Sequence, residues 1–196
     1  MACIRKPLEE MNSGIVYPDW SSFGFYDLSA NEPDAKVKNE RPPFGVREIV
    51  GWLSDDVSGS VSAKALITRL EACELRGQPE YLGFGNAHHM AYAAGHFYLE
   101  CEYSEGYQVL MTLEQAVSVL NEYVGFLHAG VRNKEVPPQP FMVEYLAEGE
   151  ESYTRFEALG GGLGFSVEEV KEMSRVEQQE NKRRVLVDKS RASKKS

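Results

Sequence analysis

The spacing of apolar positions changes along the chain, and each change predicts an element. Val46, Ile49, Val50 and Leu53 recur at helical spacing and predict a short helix that ends before the polar run 54–60. Ala63, Leu66, Ile67 and Leu70 predict a second helix, capped by Ser60 or Ser62 and stopped by Gly77 and Pro79. From His96 the period falls to two. Phe97, Leu99, Cys101 and Tyr103 point to one side, and His96, Tyr98, Glu100 and Glu102 to the other, as in a strand with a core face and a water face. Ser104-Glu105-Gly106 then connects to a second strand over 107–111, predicting an antiparallel hairpin. Residues 80–95 predict a preceding strand, broken by a turn at Gly83-Phe84-Gly85-Asn86.

The clearest helix follows. Thr112 and Gln115 have capping-box spacing, and Leu113, Ala116, Val117, Leu120, Val124 and Leu127 form one stripe up to the stop at Gly130. This helix is expected to pack on the apolar side of the hairpin. Pro137-Pro138-Gln139-Pro140 breaks the chain, and alternation at Phe141, Val143 and Tyr145 predicts a last, edge strand.

Around this patterned middle the texture differs. Residues 1–45 carry Pro7, Pro18, Pro33, Pro42 and Pro43 together with Tyr17, Trp20, Phe23, Phe25 and Tyr26, and read as an irregular segment whose aromatics cover the core. Residues 46–158 read as the core domain. Residues 159–196 read as a glycine hinge (160–164), a helix opened by Ser166 and Glu169 with Val167, Val170 and Met173 on one face, and a basic tail. The expected architecture is α+β: a mostly antiparallel sheet with helices packed on one face, plus an extended C-terminal helix.

Charge sharpens the picture. The 196 residues carry a formal net charge of −9, but the last 22 hold eight bases against three acids, and the first 174 hold 13 bases against 27 acids. So acidic a body repels nucleic acid and anionic membranes and steers cationic partners toward itself. Direct nucleic-acid contact is expected, if anywhere, only through the basic tail 182–196. Cys3, Cys73 and Cys101 are odd in number and form no CxxC, which predicts reduced thiols. No run approaches the ~20 apolar residues of a membrane span, and no secretory leader pattern opens the chain. The expectation is a soluble, cytoplasmic protein.

Candidate chemistry is sparse. His88, His96 and Glu100 could together hold a divalent metal and support a small metal-dependent hydrolase. There is no HExxH or HxH, however, and no GxSxG, P-loop or GxGxxG. His96 and Cys101 point to opposite sides of one strand and cannot form a nucleophilic pair. We therefore expect no catalytic residues, metal or cofactor. What remains is a surface. His96, Tyr98, Glu100, Glu102 and Glu105 combine aromatic and carboxylate groups suited to a basic protein partner.

One stretch resembles a known family. Tyr107-Gln-Val-Leu-Met-Thr112-Leu-Glu-Gln115-Ala-Val, then Phe126-Leu-His-Ala-Gly130, a proline link and Val143-Glu144-Tyr145, run in the order strand, helix, strand. This is similar to the C-terminal half of small immunity proteins that neutralise bacterial polymorphic or contact-dependent toxins, with Tyr145 standing where the last strand often carries Trp. The resemblance spans about 107–145. It implies a non-enzymatic inhibitor that covers a toxin's active site, and an acidic inhibitor suits a basic nuclease or deaminase. A structural subunit of a phage or bacterial assembly, docking through its C-terminal helix, is the other non-enzymatic reading.

Overall fold

The computed structural model describes residues 11–33 and 41–164. The elements run β1 (Asn12–Trp20), β2 (Tyr26–Ser29), α1 (Phe44–Asp55), α2 (Ser60–Arg76), β3 (Glu80–Phe84), β4 (His88–Ala93), β5 (His96–Cys101), β6 (Gln108–Thr112), α3 (Leu113–His128), β7 (Phe141–Tyr145), β8 (Ala147–Glu148) and α4 (Glu150–Ala158). The fold is α+β with two antiparallel sheets, one of three strands ordered β2-β1-β7 and one of five ordered β3-β4-β5-β6-β8. Among the described residues no helix is long and apolar enough to cross a membrane.

The larger sheet takes its register from a tight turn. Ala94 (φ 47°) and Gly95 (φ 78°) are both left-handed, as a two-residue type I′ hairpin requires. The turn pairs Ala93 with His96 and so brings His88 opposite Cys101 at the far end of the hairpin. Met90 and Tyr92 of β4, Phe97 and Leu99 of β5, and Val109 and Met111 of β6 face the main core. That core is closed by Ile49, Trp52 and Leu53 of α1, by Leu70 and Cys73 of α2, and by α3, with Val16, Phe141 and Val143 joining from the smaller sheet. The Thr112–Gln115 capping box forms with both of its reciprocal bonds. The buried face of α3 is turned from the expected stripe: Val119, Tyr123 and Phe126 are buried, while Val117, Val124 and Leu127 pack at its margin. The two aromatics fill more volume than the valines, and the Tyr123 hydroxyl reaches the Val57 carbonyl at 3.1 Å.

Three expectations are corrected. The segment 1–45 is not simply irregular, because it contributes β1 and β2. Residues 12–16 of β1 pair with β7 and residues 17–20 with β2, so Pro18 lies where only one side of the strand is paired. Helices do not cover one face alone. α4 lies on the opposite face of the five-stranded sheet, where Phe156 stacks on Tyr98 with ring centroids 4.7 Å apart, over Ala91, Ala93, Leu110 and Ala147. Tyr103 does not reach the core: β5 ends at Cys101, and Tyr103 is 72% exposed in the following turn.

Part of the glycine run is also packed. Gly160 (φ 81°) follows the end of α4, and a Cβ at Gly161 would lie 2.4–2.6 Å from the Phe156 ring. The extended C-terminal helix and the basic tail lie outside the described residues.

Candidate functional site

Two polar regions stand out, one buried and one open. The buried one begins on α1, where Glu48, Trp52 and Asp56 follow one another at four-residue steps and share a face of the helix and its C-cap. That face meets the end of the β4–β5 hairpin. Asp56 Oδ1 accepts from the backbone amides of Asn86 and Ala87, the latter at 3.1 Å, and Asp56 Oδ2 accepts from His88 Nδ1. The Asn86 side chain returns a bond to the Asp55 carbonyl at 2.5 Å. The turn is glycine-dependent, since a Cβ on Gly85 would lie 2.0 Å from Asp56 Oδ1. One carboxylate thus fastens the β3–β4 turn to the end of α1.

The Asp56 contact fixes the imidazole orientation and leaves Nε2 facing inward. Nε2 lies 3.5 Å from Glu48 Oε1, and the His88 and Glu48 side chains are only 2% and 1% exposed. Among the described residues, Glu48 Oε1 is buried and makes no hydrogen bond, and Trp52 Nε1 of the same helix is likewise buried without a hydrogen-bond partner. Burial pushes the Glu48 carboxyl up to about 8; the Cys101 backbone amide pulls it down, and the nearby Glu100 and Asp56 charges add to the rise. One donor atom each of Glu48, His88 and Cys101 lies within 4.8 Å of the others, and Cys101 is half-buried. This set unites a nitrogen, an oxygen and a sulfur donor.

The open region lies between α3 and β7. A groove of about 410 Å³ is lined by Ser118 and Glu122 of α3, by Pro140, and by Met142 and Glu144 of β7, and among the described residues no basic side chain lines it. Met142 is 61% exposed, as is its cross-strand partner Ile15 at 46%, so an apolar strip runs onto the outer face of the smaller sheet. Carboxylates beside exposed apolar surface suit the docking of a cationic macromolecule.

The surface expected from the sequence is dispersed. Tyr98 is fully buried under α4, and its hydroxyl donates to Glu100 at 2.8 Å; burial first, then that bond, raises its pKa. The alternation that reads as a water face is a second buried face, because α4 supplies Phe156 to cover it. Glu102 and Glu105 are exposed beyond the end of β5, with Glu102 Oε2 2.5 Å from His89 Nε2. His96 sits at the other end of the strand, its Nδ1 2.8 Å from the Ala94 carbonyl. The trio His88, His96 and Glu100 cannot share an ion. His88 and His96 flank opposite ends of the hairpin, about 17 Å apart at strand rise, and Glu100 is paired with His89 on the face opposite His88.

Comparison with protein-family models, curated proteins and solved structures finds no match.

Glu48 and Asp56 escaped sequence reasoning, yet a signal existed: two acids and a tryptophan at helical spacing, which an exposed helix face would rarely require.

Proposed function

We propose that this protein is a non-enzymatic acidic binding protein that docks a basic protein, acting as an immunity-type inhibitor of a bacterial toxin such as a nuclease or deaminase. The observation that carries this reading is the groove between α3 and β7, where Glu122 and Glu144 flank the exposed Met142 and, among the described residues, no basic side chain lines the groove. Charge complementarity favours a cationic occupant, and the strongly acidic body supplies the long-range field to steer it. The groove also lies within the segment 107–145 that resembles immunity proteins. Carboxylates placed there can occupy the sites at which a nuclease binds phosphates, while Met142 and Ile15 supply desolvated contact area.

The test is capture from extracts of the native cell, with wild type and the Glu122→Lys/Glu144→Lys double variant as baits. The reading requires a basic protein that binds wild type, is released by raised salt, and fails to bind the double variant. It also requires that stoichiometric wild type suppress that protein's toxicity or catalysis. Equal capture by both baits, or capture without inhibition, would overturn the assignment.

A further inference from the structure

We propose that Glu48, His88 and Cys101 form a site for one transition-metal cation of the zinc class, which clamps α1 to the end of the β4–β5 hairpin. The site is independent of the docking groove, and the proposal stands or falls without it.

Geometry argues first. Ligand atoms on a tetrahedral zinc lie about 3.3–3.8 Å from one another at ordinary bond lengths. Glu48 Oε1 and His88 Nε2 already stand 3.5 Å apart, and the donors of all three residues fall within 4.8 Å. Closing this set around an ion takes shifts of about an ångström or less, within side-chain rotation.

A second observation is independent of the clustering. Glu48 Oε1 is a buried oxygen with no hydrogen bond among the described residues, and it faces His88 Nε2 in the same cluster. Such an atom is costly unless something satisfies it, and a cation would do so directly. The surroundings are those of a ligating histidine. Asp56 holds Nδ1, so the imidazole presents Nε2, as in the carboxylate–histidine–metal arrangement. Asp56 is held in turn by the amides of Asn86 and Ala87.

Donor chemistry selects the metal. Calcium and magnesium want oxygen ligands, whereas imidazole, thiolate and one carboxylate suit zinc or its relatives cobalt and nickel. Three protein ligands leave a fourth position for water. On binding, the Cys101 thiol and the Glu48 carboxyl each give up a proton to solvent and their sulfur and oxygen electron pairs form the metal bonds, with no change of oxidation state.

The full-length chain, stripped with a chelator, should be titrated with cobalt(II) as probe and zinc as competitor. The proposal predicts one equivalent of cobalt, a near-ultraviolet thiolate-to-cobalt charge-transfer band, displacement by zinc, and a raised melting temperature with metal. Cys101→Ser should abolish the band and weaken binding at least tenfold, Glu48→Gln should weaken it comparably, and Cys73→Ser should leave both unchanged. Absence of a saturable band in the wild-type chain would overturn the proposal whatever the variants do. So would a wild-type band and affinity in folded Cys101→Ser or Glu48→Gln.

Discussion

The cluster at the end of α1 and the groove between α3 and β7 are both built on carboxylates, and they use them in opposite ways. Asp56 and Glu48 have almost no access to water, so their energetics are set inside the protein: Asp56 by three donors, Glu48 by its burial, which the Cys101 backbone amide only partly offsets. Glu122 and Glu144 line a surface groove, and their unspent interactions are directed outward. Glu148 shows what a settled, half-buried carboxylate looks like. Its Oε2 accepts from Gly45 N at 2.7 Å and from the Tyr145 hydroxyl at 2.6 Å, fixing the start of α1 with nothing left unpaired on that oxygen. Burial and that bond raise the Tyr145 pKa. The contrast separates three roles for an acid: holding the fold, awaiting a ligand inside it, and meeting a partner outside.

Substitutions that move stability without binding, or the reverse, test this separation. Asp56→Ala should have the largest effect on stability, since it strands His88 Nδ1 and two backbone amides; we expect a loss of about 3–5 kcal/mol by urea unfolding. Glu48 gives a pH signature in the metal-free protein. Its carboxyl is neutral in the fold up to about 8 but ionises near the ordinary carboxylate value when unfolded. The stability of the neutral form is therefore fully present below that ordinary value and is lost as pH rises through about 8. At neutral pH the loss is about 3 kcal/mol. Glu48→Gln, which cannot ionise, should flatten that slope against wild type in the presence of chelator. The groups near Glu48 that titrate or carry charge (His88, Asp56, Cys101 and, across the sheet, Tyr98 and Glu100) are retained in both proteins, so the difference isolates the carboxyl. Gly85→Ala drives a Cβ against Asp56 and should cost about 1–3 kcal/mol, readable as a lower melting temperature. Glu122→Lys/Glu144→Lys should change stability least, within about 0.5 kcal/mol, because neither side chain makes a hydrogen bond or ion pair among the described residues.

What could be read in the chain follows the range of the interactions. The hairpin across Ser104-Glu105-Gly106, the Thr112–Gln115 cap and the strand at Phe141–Tyr145 are written in periods and turn residues a few positions apart, and they form as expected. β1 was hidden because Gly14 and Pro18 interrupt its pattern and β7, its partner over residues 12–16, lies 125–133 positions away. α4 was hidden for a related reason. Phe156 gives it little stripe of its own, and only the distant Tyr98 shows why that ring is buried. The buried cluster joins residues from positions 48, 56, 88 and 101, so it emerges only once α1 is docked and the hairpin register is known. A helix pattern scored for apolar residues passes over Glu48 and Asp56 because buried acids mimic solvent-facing ones until their partners are in view. The groove acids pose the converse difficulty. Glu122 and Glu144 look like any surface charge, and only the adjoining α3 and β7 place them together.

Docking of a basic protein through the groove is the central claim, and its most direct test is the salt dependence of affinity for the captured partner, measured on wild type and on Glu122→Lys/Glu144→Lys. The account predicts that the double variant binds at least about tenfold more weakly at low salt and that its affinity falls less steeply as salt is raised. Equal affinities with the same salt slope would contradict it.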